Sequence, residues 1–163
     1  SDFPDFVYNP TPLIGVTGGR NSVPAVIDLN LDGFNDIIVG NLLGQLYKYI
    51  HLKKNNKTRF RLERRKYLNL DVGLGAIPKI ADINNDKQPE LIIGSDSGKI
   101  RSLKIISAKN SPIRWEPIAD YFNDIKLPVG GNPVFVDLDS DGDLDLIVGS
   151  ERGTLYYFRN TGN

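Results

Sequence analysis

An internal repeat constrains this chain more than any other feature. Residues 24–40, 78–94 and 133–149 align without a gap. Taking Asp28, Asp82 and Asp137 as anchors, each copy has a proline four positions before and glycines twelve and sixteen after. The anchors are almost evenly spaced, and Phe6, Phe60 and Trp115 each precede the repeat proline by the same interval. A repeat of this size is one supersecondary block, which buries its apolar face only by stacking on neighbours.

Within each copy a short β-type run enters an Asp-rich loop and an aliphatic run leaves it, at 37–39, 91–93 or 146–148. Runs so short and aliphatic, closed by glycine, read as buried strands rather than helices. A third strand is expected at 45–50, 99–105 and 154–158, and a fourth around Phe60 or Trp115. The fold class predicted is all-β: β-propeller blades of four antiparallel strands, three repeats of about 54 residues, with almost no helix. The blades fall at about 21–75, 76–130 and 131–163 in a single propeller-type domain over 1–163. The last would be completed by the N-terminal strand of residues 1–20, from the same or a neighbouring chain. Closed propellers have about 4–8 blades. The expected partner is therefore a second copy, in a homodimer closing a six-bladed ring, or further blades on another polypeptide.

The loops place oxygen donors at positions 1, 3, 5 and 9, with a carbonyl at position 7. The first loop offers Asp28, Asn30, Asp32, Phe34 (carbonyl) and Asp36; the second Asp82, Asn84, Asp86, Gln88 (carbonyl) and Glu90. The third offers Asp137, Asp139, Asp141, Asp143 (carbonyl) and Asp145. Alternate side chains of a tight loop converge on one point, and Ca²⁺ takes about six to eight such oxygens. Gly33 and Gly142 at position 6 permit the positive φ that wraps backbone around an ion. The second loop departs, with Lys87 at position 6 and Pro89 before its last donor. Four carboxylates rank the third loop tightest for metal, and Lys87 ranks the second weakest. An EF-hand needs Glu at position 12, where this chain has Val39, Ile93 and Val148. Asp, Asn and Gly also favour turns without any ion, but three such loops in register favour metal.

These loops, with the glycine-containing stretches 75–78 and 130–133, resemble the FG-GAP/VCBS repeats of integrin α-chain heads and many bacterial surface proteins. The resemblance covers nearly the whole chain. It implies a propeller, Ca²⁺ in the hairpin between a blade's first two strands, and a role in adhesion or ligand recognition.

Charge and composition exclude more than they assign. Lys plus Arg and Asp plus Glu both number 20, so no net field points to nucleic acid. No cysteine is present, which excludes disulfides and thiolate sites. No apolar stretch approaches the roughly 20 residues of a membrane span, and Ser1-Asp2-Phe3-Pro4 does not open a signal peptide. Residues 51–67 carry eight Lys or Arg, among them Lys53, Lys54, Arg64 and Arg65, a candidate anion- or partner-binding set. Alternation of Phe60 and Leu62 with Arg59 and Arg61 describes equally an outer strand protected by charge. His51 is the sole histidine and has no Ser or Cys motif beside it. Trp115, Tyr47, Tyr49, Tyr156 and Tyr157 could stack on a sugar, although repeat-equivalent aromatics commonly pack between blades. The function expected is a non-catalytic, calcium-binding recognition or adhesion module, extracellular or at the cell surface, with a protein or glycan ligand. A scaffold subunit of an enzyme complex and a lectin-like propeller are the alternatives.

Overall fold

A computed structural model describes Leu13 and residues 16–54, 57–70, 72–108, 111–119, 122, 125, 127 and 130–162. Among these, eleven strands form three antiparallel sheets, each a meander in chain order. The first sheet holds β1 (Val23–Ile27), β2 (Asp36–Gly40), β3 (Leu46–Lys54) and β4 (Lys57–Arg64). The second holds β5 (Ile77–Ala81), β6 (Glu90–Gly94), β7 (Ile100–Ile105) and β8 (Trp115–Ala119). The third holds β9 (Asn132–Val136), β10 (Asp145–Gly149) and β11 (Leu155–Phe158). The described helix is a single 3-10 turn, Tyr67–Asn69.

Local chemistry explains the strand order. Pro24, Pro78 and Pro133 lie second in β1, β5 and β9, which among the described residues pair on one side only, where a missing N–H costs no ladder bond. The aliphatic runs become β2, β6 and β10, each flanked by strands on both sides. All five residues of β2 and of β6 are buried, so these strands are apolar on both faces rather than alternating. β3 is longer than the sequence suggests because β4 pairs with it out to Lys54 and Lys57.

Sheets stack through alternate faces of the central strands. Ile38 and Leu46 meet Leu91, Ile93, Leu103 and Trp115 between the first and second sheets. Ile92 and Ile100 meet Leu146 and Val148 between the second and third. β1 lies against β5, and β5 against β9, so the first strands neighbour one another in order. Gly40 and Gly94, at equivalent places in their repeats, mark where backbones touch. A β-carbon on Gly40 would run into the carbonyl oxygen of Ala76, and one on Gly94 into that of Gly131.

The third sheet differs. Among the described residues no strand pairs with the outer edge of β11. The N-terminal strand expected around Phe6 lies outside the described residues.

Candidate metal centres

Each Asp-rich loop joins the first two strands of its sheet and is folded by its own acidic side chains. The position-1 carboxylate accepts two backbone amides across the loop. Asp28 takes those of Asp32 (3.2 Å) and Gly33 (2.8 Å), and Asp82 those of Asp86 (3.1 Å) and Lys87 (2.8 Å). Asp137 takes those of Asp141 (3.1 Å) and Gly142 (3.1 Å). The position-5 carboxylate accepts the amide two positions on: Phe34 to Asp32 at 2.9 Å, Gln88 to Asp86 at 2.7 Å and Asp143 to Asp141 at 3.0 Å. Asn30 and Asn84 accept the amides of Asp32 and Asp86 through Oδ1 (3.1 and 3.0 Å). Carboxylates offer about four acceptor sites each, so these bonds leave capacity for a cation.

The backbone repeats as closely as the hydrogen bonds. Position 6 is left-handed in every loop, with φ of 86° at Gly33, 69° at Lys87 and 94° at Gly142. Lys87 therefore takes the conformation that glycine takes elsewhere. Position 4 is left-handed too, at Leu31 (59°), Asn85 (58°) and Ser140 (64°). Only Asn85 has a side chain that favours this region, so position 4 was not legible in the sequence.

Position 9 is an anchor driven into the sheet. Asp36, Glu90 and Asp145 are buried. One oxygen of each accepts the position-2 amide, from Leu29 (3.0 Å), Ile83 (3.0 Å) or Leu138 (3.2 Å). The other oxygen of Asp36 accepts the His51 amide, and that of Asp145 the Asn160 amide, both at 2.8 Å. His51 and Asn160 occupy the same position relative to Asp28 and Asp137, a correspondence that sequence reading missed. Glu90, one methylene longer, instead faces Asn84 Nδ2 at 3.3 Å. Burial raises the Asp36 and Glu90 carboxyls above their usual range, against the pull of the backbone amides. The Asn160 amide, with help from the Tyr157 hydroxyl, holds Asp145 below it.

The third loop brings three carboxylates together. Carboxylate oxygens of Asp137, Asp139 and Asp141 lie within 4.8 Å of one another. That spacing fits a hard cation with ligands at about 2.3–2.6 Å. A cationic side chain already lies on these groups: Arg159 Nε is 2.6 Å from Asp139 Oδ2, and an Arg159 terminal nitrogen is 3.3 Å from Asp141 Oδ2. The second and third loops also touch. Asn85 Nδ2 donates to Asp143 Oδ1 at 2.6 Å and to the Gly142 carbonyl at 3.3 Å.

The remaining candidates separate from this edge. Arg64 and Arg65 are exposed at the end of β4, with Arg65 5.9 Å from the centre of the Tyr47 ring. Lys53 and Lys54 lie in β3, and their side chains are outside the described set. Phe60 and Leu62 pack on the sheet while Arg59 and Arg61 face out, as an edge strand requires. His51 is sandwiched by Phe34 (5.4 Å, edge-on) and Phe60 (5.0 Å, stacked). Tyr49 and Trp115 are buried and so present no face to a sugar.

Fold and loops together define an all-β repeat protein whose sheets each carry an acidic hairpin loop. No protein-family model matches the chain. It is similar to integrin alpha-6 of Homo sapiens, 28% identical over 153 residues, covering 83% of the chain and 13% of that protein. It is similar also to integrin alpha-6 of Gallus gallus, 29% identical over 157 residues, with 83% and 14% covered. The chain thus spans about one seventh of the length of these relatives.

Proposed function

We propose that the chain is a non-catalytic, calcium-binding β-propeller module for protein recognition or adhesion, in which the metals stabilise the blade hairpins. The observation that carries this reading is the clustering of Asp137, Asp139 and Asp141 oxygens within 4.8 Å, in a loop whose fold is repeated twice more. Similarity to integrin alpha-6 over 83% of the chain supports the adhesion class. Asp28, Asn30, Asp32 and the Phe34 carbonyl would hold the first ion, and Asp82, Asn84, Asp86 and the Gln88 carbonyl the second. Asp137, Asp139, Asp141 and the Asp143 carbonyl would hold the third. Asp36, Glu90 and Asp145 are the position-9 donors in this reading; Asp145 lies outside the 4.8 Å cluster and is engaged with the backbone amides of Leu138 and Asn160. A bound Ca²⁺ supplies charge neutralisation and cross-linking, so its binding free energy adds to that of folding. A non-catalytic role accords with acidic groups bound into loops and a histidine packed between two rings.

An extracellular or cell-surface setting accords with the same similarity, and no described helix is long and apolar enough to cross a membrane. Assembly with a second copy into a homodimer closing a six-bladed ring is part of this reading. Leu46 and Ile100, at equivalent positions of the first two copies, are 2% and 0% exposed beneath the next sheet, whereas their counterpart Leu155 is 75% exposed. At the opposite end Pro24 is exposed while its counterparts Pro78 and Pro133 are buried. Among the described residues, these two exposed faces correspond to the two sides of the contact made between successive sheets, which supports a second copy as the partner.

Native mass spectrometry with and without calcium tests both parts. A dimer carrying about three ions per chain is the expected result; a metal-free species in millimolar calcium would overturn the calcium reading, and a monomer the assembly.

A further inference from the structure

We propose that Arg159 is the internal counter-cation of the third loop, seated on the carboxylates that a divalent ion would use and competing with it for them. The inference rests on the calcium reading above and concerns what sets the affinity of one site.

Arg159 touches two of the three clustered carboxylates, Asp139 at 2.6 Å and Asp141 at 3.3 Å, through two different nitrogens of one planar fork. A guanidinium keeps its charge at any ordinary pH and presents its donors in fixed directions, so it substitutes for a point cation. The backbone delivers it there. β11 ends at Phe158, and the next residues turn across the loop. The Asn160 amide donates to Asp145 Oδ1 at 2.8 Å, and Asn160 Nδ2 donates to the carbonyls of Ile83 and Leu144 at 3.3 Å each. With Asn160 pinned between the second and third loops, the neighbouring side chain lies over Asp139 and Asp141.

The device belongs to this loop. The position that Arg159 fills in the third copy holds Ile50 in the first and Lys104 in the second. Ile50 is buried in its sheet, and Lys104 pairs with Glu116 at 3.5 Å. The loop richest in carboxylate therefore carries its own cation, which offsets the advantage its four acidic groups would otherwise give. An ion entering must displace Arg159, releasing a side chain from a segment that also ties the second loop to the third.

Calorimetric titration of the full chain with calcium at low salt tests this. Asp141→Asn identifies which binding step belongs to the third loop. Arg159→Gln is expected to tighten that step roughly fivefold, the scale of two exposed ion pairs, and Arg159→Lys, which keeps charge without the fork, by less. Arg152→Gln removes the same charge from the β10–β11 turn, at the far end of the strands, and is expected to leave the step within about twofold. An unchanged or weaker third step in Arg159→Gln, or equal tightening by Arg152→Gln, would overturn the competition while leaving the calcium reading intact. No calcium uptake by either the unsubstituted chain or Arg159→Gln would instead overturn the calcium reading itself.

Discussion

Asp36 Oδ1 accepts the backbone amide of His51 at 2.8 Å, tying the end of the first loop to the third strand of the same sheet. The other oxygen holds the amide of Leu29, a fully buried residue. Asp36→Ala would leave both donors without their acceptor in a site closed to water, at about 1–3 kcal/mol each. The expected loss is about 2–6 kcal/mol of unfolding free energy, with Asp36→Asn, which keeps one acceptor, losing about half. Urea denaturation in calcium-free buffer measures both, and a loss below about 1 kcal/mol would show that the loop is anchored otherwise.

Glycine at the strand ends carries a second prediction. Since a β-carbon at Gly40 or Gly94 would collide with backbone carbonyls of the next sheet, alanine there must pry sheets apart. Gly40→Ala and Gly94→Ala should each cost about 2–3 kcal/mol, typical of overpacking at a site that cannot yield. At Gly149 the added carbon would meet only Leu155 Cδ2 at 3.8 Å. Gly149→Ala should therefore leave the isolated chain within about 0.5 kcal/mol of the original. In the proposed homodimer the same carbon would face the second copy, and sedimentation equilibrium should then show dissociation at higher protein concentration.

Much of this was legible in advance, and the reasons are physical. Proline, aliphatic run and glycine each report a backbone need, an unpaired edge, a strand buried on both faces, or a close approach, so their recurrence located β1, β2, β5, β6, β9 and β10. The three Asp-rich turns were legible because Asp, Asn and Gly recur there in register, and in the third the oxygens of Asp137, Asp139 and Asp141 do come within 4.8 Å of one another. What the sequence hid were contacts between distant residues. Neither Arg159 over Asp139 nor Asn85 against Asp143 has a counterpart in the other copies, so repetition, the strongest signal available, was silent about them. The left-handed Leu31 was hidden for another reason: its conformation is imposed by the hydrogen bonds of its neighbours, not by its own preference.

Opposite pKa shifts in equivalent carboxyls give a third prediction, in metal-free buffer. Glu90 is raised by burial, so its contribution to stability is fully present below the unfolded value of about 4.3 and is lost as pH rises through the folded value. Asp145 is lowered, chiefly by the Asn160 amide, so its contribution is present above about 3.9 and is lost as pH falls through the folded value. The stability difference between the unsubstituted chain and Glu90→Gln should fall with rising pH above the ordinary carboxylate range. That for Asp145→Asn should rise with pH at the acid end. Denaturant midpoints from about pH 3 to 7 with chelator present read both slopes, and slopes of the same sign would contradict the environments described.

Lys87 combines two costs that can be separated. Its φ of 69° is a left-handed conformation that penalises a side-chain-bearing residue by about 1–2 kcal/mol, and its ammonium lies on a residue of the loop that would hold a cation. Its amide bond to Asp82, at 2.8 Å, is made by the backbone and survives any substitution except proline. Lys87→Gly should raise metal-free stability by about 0.5–1 kcal/mol, the relief of strain less the added entropy of the unfolded chain. Lys87→Gln removes the charge and keeps the strain, so it should leave metal-free stability nearly unchanged while tightening calcium in the second loop. If Lys87→Gly tightens calcium no more than Lys87→Gln, the loop is already shaped for the ion, and electrostatics alone weakens it. If only Lys87→Gly tightens it, backbone strain is the limiting cost, because the second loop lacks the glycine that its two counterparts have at position 6.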